Sequence, residues 1–194
     1  MKEEIKNKIK VELLKYPTEE EWLWVKQCTL NTVGKKLKSK SSNVDEEWKI
    51  KLLKSEHSPI RELWFGFRLS IPYWVSNHLV RHHDGISHYV QTERTDRTGI
   101  NRDELPQSSF VNHACEADAQ SLINISRKRL CNCATKETRE AWQKVKDEVA
   151  KVEPELASCM VRECIYRGFC PEMFGCGYDK TEQFQNDLKE YRGE

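Results

Sequence analysis

The chain lacks a long apolar run, an excess of either charge, and the Gly and Pro content of an unstructured polypeptide. Its 194 residues include 32 Lys and Arg, 31 Asp and Glu, 8 Gly and 6 Pro. Balanced charge gives no global field to attract a nucleic-acid polymer, and no segment approaches the roughly 20 apolar residues that cross a bilayer. The first ten residues are too polar for an export signal. We therefore expect a cytoplasmic protein that binds neither nucleic-acid polymers nor membranes.

Aromatic residues and cysteines are more abundant. Six Trp, six Tyr and six Phe predict a folded chain. The eight Cys do not predict disulfides, because cytosolic thiols are kept reduced. Zn²⁺ or an iron–sulfur cluster is one reading for four of them, and buried free thiols are the ordinary alternative. The four candidate metal ligands are Cys131, Cys164, Cys170 and Cys176, with Cys133 as a possible substitute.

Hydrophobic periodicity predicts more helix than strand. Thr18 and Glu21 form a capping-box pattern that starts a helix ending near Gly34. From Leu63 to Ile71 apolar and other residues alternate, which is typical of a half-buried strand. The remaining predictions are helices over 45–53, 73–82, 110–130, 136–152 and 154–160, and an irregular tail from residue 166. The expected fold class is α+β, a single domain over 1–194 with a Cys-rich C-terminal extension at about 159–194.

Cationic side chains are concentrated after the predicted strand. Four of the six His lie between positions 78 and 88, near four Arg. Such a cluster suits an anionic ligand, because Arg offers paired planar donors to phosphate. The alternative is a solvated loop in which Asp84, Glu93 and Asp96 neutralise the Arg side chains. A third reading is a metal-dependent hydrolase, because His78 and His82 lie four residues apart on a predicted helix and His83 or His88 could complete a zinc site.

Two blocks of sequence carry a resemblance. The first, HSPIRELWFGFRLSIPYWVSNHLVRHHDGISHYVQTER, has a Ser-Pro segment, a strand, a helix ending in Arg81-His82-His83, and Thr92-Glu93-Arg94. The second, SLINISRKRLCNCATKETREAW, has Arg129 near a helix end and then Ala134, Glu137 and Arg139. In this order the blocks resemble the flavin-dependent thymidylate synthase family over about residues 25–152.

The resemblance implies a central antiparallel sheet with long helices, in a homotetramer whose sites lie between subunits. It implies transfer of a one-carbon unit from methylenetetrahydrofolate to C5 of dUMP, giving dTMP, with FAD as cofactor and NADPH as reductant. By the same resemblance, the residues that bind FAD would be Ser58, Arg81, His82, His83 and Arg129. Those that bind dUMP would be His78, Thr92, Arg94, Gln120 and Arg139, with Arg139 as the catalytic residue.

Arg139 also suits this role on chemical grounds. Methylation at C5 needs electron density on that carbon, and a guanidinium against the pyrimidine carbonyls would stabilise the charge that develops there. No carboxylate lies one helical turn from Arg139, since Thr135 and Gln143 occupy those positions.

Three positions depart from the family pattern. His83 stands where the family has a second Arg, His78 where it commonly has Gln, and Gln120 where it often has a phosphate-binding Arg. Losing one charge-assisted contact costs about 1.5–3 kcal/mol. The alternative function is therefore a divergent relative that acts on another pyrimidine nucleotide or binds nucleotide without turnover.

Overall fold

The structure is a computed structural model that describes residues 8–37 and 43–194. Within these residues one four-stranded sheet is formed by β1 (Lys10–Lys15), β2 (Trp64–Pro72), β3 (Ile86–Val90) and β4 (Phe110–Asp118). The helices are α1 (Glu19–Asn31), α2 (Glu46–Lys54), α3 (Tyr73–Leu79), α4 (Thr95–Thr98), α5 (Ala119–Arg129), α6 (Lys136–Ala150), α7 (Pro154–Cys159), α8 (Glu163–Arg167) and α9 (Glu182–Arg192). Short 3₁₀ segments cover Ser58–Glu62, Arg102–Glu104 and Tyr178–Lys180.

All neighbouring strands are antiparallel, in the order β1-β2-β4-β3. β2 and β4 pair along their whole length, from Trp64 opposite Asp118 to Pro72 opposite Phe110. We name the two ends of the paired strands β2 and β4 after the terminal residues of β4, as the Asp118 end and the Phe110 end. The nine residues of β4 span about 27 Å between these ends.

The side chains of β2 form the centre of the core. Phe65, Phe67, Leu69 and Ile71 are at most 1% exposed and alternate with more exposed residues, so the predicted half-buried strand is confirmed. α6 packs against β1 and β2. Burial of each large apolar side chain contributes about 1.5–3 kcal/mol, so the four side chains of this strand contribute substantially to the stability of the core.

Most of the predicted helices are confirmed. α1 begins with the expected capping box, in which the Thr18 backbone N–H donates to Glu21 Oε2 at 2.8 Å. α2, α6 and α7 lie close to their predicted ranges. α3 is shorter than expected and ends at Leu79 rather than at His82.

The expected helix over 110–130 is wrong, because the chain changes from strand to helix at Asp118. In β4 the buried positions alternate, and they include Val111, His113 and Cys115. Asp118 then caps α5, its Oδ1 accepting from the Ser121 backbone N–H at 2.7 Å. The lack of Gly and Pro in this segment is compatible with both states, and the alternation together with the cap determines the outcome.

Two further strands were not predicted from sequence. β1 and β3 are short edge strands, and almost all their residues are exposed or only half-buried. Short edge strands of five or six residues carry a weak periodic signal, because too few alternating positions are available to establish a pattern.

The expectation of an irregular tail is also wrong in part. α9 covers Glu182–Arg192, and the Thr181 hydroxyl caps it by accepting from the Phe184 backbone N–H at 3.2 Å. Phe184 and Leu188 pack with Cys164 and Ile165 in a small apolar cluster separate from the main core. The extension therefore contains two packed helices, α8 and α9, joined by an irregular and largely exposed segment over 168–177.

Across the described residues, no helix combines the length and the apolar character needed to cross a membrane.

Candidate functional site

The loop over residues 80–85 joins α3 to β3 and carries the Arg81-His82-His83 motif. Gly85 adopts φ +65°, a left-handed conformation that favours glycine. A Cβ at this position would lie 2.2 Å from Ser121 Oγ and 2.3 Å from Asp118 Oδ2. Ser121 also donates from its hydroxyl to the Asp84 carbonyl at 2.7 Å. The loop is thus docked against the start of α5.

The end of α5 holds the same loop through Arg129. The Arg129 guanidinium donates from Nε to His82 Nε2 at 2.8 Å and from Nη2 to the His78 carbonyl at 2.6 Å. Forty-seven residues separate Arg129 from His82 in the chain. The two sequence blocks therefore meet at these three residues, and their binding of FAD or dUMP stays a prediction.

Burial and nearby cations keep the imidazoles of this cluster neutral. Burial, followed by the charge of Arg129, lowers the pKa of His82 to about 4. The same two causes, with Arg81, lower the pKa of His78. Burial and Arg81 also lower the pKa of Arg129, whose ordinary value is so high that it stays cationic. The cluster is therefore one half-buried cation with two neutral histidines near neutral pH.

Thr138 brings the start of α6 to this cluster, and Arg139 follows it in the chain. Thr138 Oγ1 is hydrogen-bonded to His78 Nδ1 at 3.0 Å. Arg139 donates from Nη1 to the carbonyls of Asn132 and Ala134, at 2.7 and 3.2 Å. Within residues 8–37 and 43–194 Arg139 has no carboxylate partner, as its helical spacing predicted.

A cavity of about 260 Å³ lies at the Phe110 end of the sheet, between α3 and the segment after β3. Thr92 and Arg94, two of the predicted substrate-binding residues, line it. Arg102, Ser76 and Asn77 also contribute to its wall. Two guanidiniums and a hydroxyl around a small cavity are suited to a phosphate group.

Arg94 already has a partner in the free chain. It donates from Nε and Nη2 to the two carboxylate oxygens of Asp96, at 3.0 and 2.8 Å. This pair fits the alternative reading of a neutralised loop. An exposed pair contributes about 0.2–1 kcal/mol, so a doubly charged phosphate can displace Asp96.

Two predicted site residues lie at the opposite, Asp118 end of the sheet. Gln120 is buried in the first turn of α5 and bonds Glu56 and Asn124. Ser58 is exposed at the start of the 3₁₀ segment beside α5. Within one chain the structure does not bring them to Thr92 and Arg94.

Arg81 and His83 are exposed on the motif loop. His83 Nδ1 contacts the Arg81 carbonyl at 3.2 Å.

The zinc reading of the histidines gains no support from the geometry. His82 Nε2 accepts from a guanidinium, and His78 Nδ1 bonds Thr138. A cation would be repelled by Arg129 at this position. In the part of the chain that the structure describes, no three His, Cys, Asp or Glu side chains are arranged to hold a metal ion.

The cysteines of the extension do approach one another. Burial, followed by the neighbouring Cys131 thiol, raises the pKa of Cys133 to about 11. Burial is the largest cause that raises the pKa of Cys164 to about 11. The neighbouring Cys131 thiol and, to a smaller extent, the Cys170 thiol also raise it. The described residues offer no ready-made cage, so metal binding at Cys131, Cys164, Cys170 and Cys176 stays a prediction.

Larger cavities exist elsewhere but contain none of the predicted site residues. One of about 600 Å³ lies between α2, α6 and the extension, and one of about 710 Å³ lies beside β1. The first is lined by side chains of both charges, including Lys146 and Glu190. We place the candidate site at the smaller cavity, which Thr92 and Arg94 line, and at the Arg129 cluster, where Arg129 bonds His78 and His82.

Sequence reasoning missed two residues near this site, Ser76 and His113. His113 is fully buried in β4 and contacts Ser76. The alternation of Val111, His113 and Cys115 was the signal that could have placed it on a buried strand face.

Comparison with known proteins establishes the fold. No family model matches the chain, and the search of curated proteins finds no significant match. Among solved structures, the UMP/dUMP methylase PolB from Streptomyces cacaoi bound with 5-Br dUMP has a TM-score of 0.61 at 15% identity, over 83% of this chain and 95% of that chain. The structure of the same methylase bound with 5-Br UMP has a TM-score of 0.60 at 15% identity, over 79% of this chain and 96% of that chain. The chain therefore shares the α+β fold of these structures.

Proposed function

We propose that this protein methylates C5 of a pyrimidine nucleoside monophosphate, with dUMP as the first candidate. One observation carries the proposal: Arg129 joins the two motif blocks by bonding His82 and His78. Thr92 and Arg94 of the first block line a small cavity together with Asn77, the residue before His78. The fold likeness to a UMP/dUMP methylase supports the same class of substrate. At 15% identity that likeness supports the proposal without deciding between UMP and dUMP.

The cavity beside α3 would take the nucleotide phosphate. Arg94 and Arg102 supply cationic donors, and Thr92 supplies a hydroxyl. Its volume of about 260 Å³ is below the roughly 300–1,000 Å³ of a whole-ligand site, so it suits the phosphate and sugar rather than the complete nucleotide. The pyrimidine would extend beyond it.

The donors of the Arg129 cluster fit an electron-accepting ring. Because His82 Nε2 accepts from Arg129, the neutral His82 ring carries its proton on Nδ1. Among the described residues, neither His82 Nδ1 nor Arg129 Nη1 has a hydrogen-bond partner. Two free N–H donors, one on a cation, suit the carbonyl-rich edge of the FAD isoalloxazine. Bound FAD would supply the redox chemistry, with NADPH and methylenetetrahydrofolate as co-substrates.

Arg139 is the proposed catalytic residue. Only its Nη1 bonds carbonyl oxygens of the described chain, so further N–H donors remain for the pyrimidine carbonyls. A guanidinium there would stabilise negative charge that develops on the pyrimidine when C5 reacts.

A complete site requires more than one subunit. Gln120 and Ser58 lie at the Asp118 end, whereas Val90 and Gln91 of the cavity wall lie opposite His113 and Asn112, about 17–20 Å along the strand. The proposed homotetramer would bring the Asp118 end of one chain to the Phe110 end of another.

Ligand titration of two arginine variants tests the phosphate site. Arg94→Gln should weaken dUMP binding about 10- to 100-fold, the equivalent of one charge-assisted contact, and should leave deoxyuridine binding unchanged. Arg97→Gln is the matched control, because Arg97 is an exposed neighbour that does not line the cavity. Calorimetry with both ligands gives the comparison. Equal affinities of the two variants would contradict the assignment of the phosphate.

The alternative function is a protein that binds nucleotide without turnover or acts on another pyrimidine nucleotide. It is favoured by the bond from Gln120 to Glu56, because a buried and paired amide offers little to a phosphate. Tight binding of dUMP or UMP by a protein that takes up no FAD would support it.

A further inference from the structure

A hydrogen-bonded series of side chains links the wall of the phosphate cavity to the motif loop. Ser76 Oγ lies 2.9 Å from His113 Nδ1, and His113 Nε2 lies 2.8 Å from His88 Nδ1. His88 Nε2 lies 2.7 Å from the His82 carbonyl oxygen. The series thus joins α3, β4, β3 and the loop that presents the His82 ring to Arg129.

The sheet register brings the two histidines together. Val90 pairs with His113 and His88 pairs with Cys115, so His88 and His113 are diagonal neighbours on adjacent strands. Their rings meet edge to face, with centroids 5.0 Å apart. His113 is fully buried, and Ser76 is 1% exposed. Water therefore cannot replace a lost bond easily, and an orphaned group would cost about 1–3 kcal/mol.

The carbonyl at the end determines the direction of every bond. A carbonyl oxygen only accepts, so His88 donates from Nε2. In an uncharged series His88 Nδ1 then accepts from His113 Nε2–H, and His113 Nδ1 accepts from the Ser76 hydroxyl. No bond of the series is to a carboxylate that would stabilise an added charge. Burial, then His88, lowers the pKa of His113 to about 4.

The series is built to hold geometry rather than to carry protons. Its last acceptor is a backbone carbonyl, which has no proton to pass on and does not retain one near neutral pH. What it fixes is the His82 backbone, and the His82 ring in turn accepts from Arg129. Arg81, His83 and His88 are the other charged or titratable groups that act on His82 and Arg129.

We propose that His88 and His113 are positioning residues that hold His82 with its proton on Nδ1 and its Nε2 facing Arg129. The consequence for catalysis rests on the proposed function. The positioning itself concerns only the free chain.

Histidine tautomers measured by long-range ¹H–¹⁵N NMR on the full chain test this inference. The wild type should show Nε2–H at His88 and His113 and Nδ1–H at His82. A charged His88, or Nδ1–H at His113, would overturn the inferred direction. These spectra need neither flavin nor nucleotide, so their failure is distinguishable from failure of the proposed function.

Variants at position 88 test the link to His82. His88→Phe keeps a ring but removes both bonds, so the pKa of His82 should rise from about 4 and its Nδ1–H preference should be lost. His88→Gln should retain the wild-type state, because an amide can donate to the His82 carbonyl and accept from His113. Tyr89→Phe, on the exposed face of the same strand, is the matched control.

An unchanged His82 in a folded His88→Phe chain would overturn the inference. If that variant does not fold, the wild-type tautomers and His88→Gln decide alone. The inference is supported if the wild type shows the inferred tautomers and His88→Gln retains the wild-type state of His82. Any other pattern contradicts it.

Discussion

Individual side chains of the candidate site differ in how readily the sequence predicts them. Arg129, His82 and His78 could be predicted because they occupy motif positions, and their bonds confirm that they meet. His113 could not, because its segment was expected to be helical. Sequence spacing finds residues of a local motif, whereas partners that meet only through strand pairing need the correct register.

Glu56 illustrates a residue whose importance depends on contacts distant in sequence. It has φ +50°, unusual for a non-glycine residue, and pairs with Arg127 while also accepting from Gln120. Arg127 in turn stacks on the Tyr166 ring, 3.6 Å from the centroid. Glu56 thereby ties the segment before Ser58 to α5 and to the extension.

Removing this carboxylate should destabilise the chain. Glu56→Gln leaves the largely buried Arg127 without its counter-charge, so we expect the free energy of unfolding to fall by about 2–4 kcal/mol. Glu47→Gln, which removes an exposed partner of Lys51 within α2, should change it by about 0.5 kcal/mol or less. Urea denaturation of both variants measures the difference. Similar losses in the two would refute the structural role of Glu56.

At the scale of elements, α5 organises the site by holding both sides of the motif loop. Asp118 and Ser121 at its start contact Gly85 and Asp84, and Arg129 at its end bonds His82. Strand β2 and the cap of α1 were predictable, because alternation and capping are local signals. The change from β4 to α5 was not predicted, since an uninterrupted segment without Gly or Pro hides the change of period at Asp118.

A methyl group at Gly85 should displace this loop. Gly85→Ala combines a positive φ with overlap against Asp118 and Ser121, so we expect a loss of about 2–4 kcal/mol in the free energy of unfolding. Gly99→Ala also has positive φ but meets nothing within 4 Å, and should lose only about 1 kcal/mol. Thermal or urea unfolding gives both values. If Gly99→Ala lost as much stability as Gly85→Ala, the contacts of the loop with Asp118 and Ser121 would not contribute to the free energy of unfolding.

For the molecule as a whole, stability should depend on pH through its buried histidines. The pKa of His113 is lowered from 6.5 to about 4 on folding, mainly by burial. Between these values the unfolded chain binds a proton that the folded chain does not, so stability is complete above pH 6.5 and falls as the pH drops towards 4. For this one residue the loss is about 3 kcal/mol.

Comparison of His113→Gln with the wild type isolates this effect from the other titrating groups. The variant should show a shallower decrease in the free energy of unfolding between pH 6.5 and 4.5. His83→Gln, at an exposed position, should keep the wild-type slope. Identical slopes in all three proteins would mean that His113 is not buried in its neutral form.

Release of tritium from C5-labelled dUMP and UMP is the most direct measure of the proposed chemistry. The reaction would contain FAD, NADPH and methylenetetrahydrofolate, with Arg129→Met run in parallel. We expect release from at least one nucleotide with the wild type, and a loss of at least tenfold in Arg129→Met. A wild-type protein that binds both FAD and nucleotide yet releases no tritium from either would contradict methylation at C5.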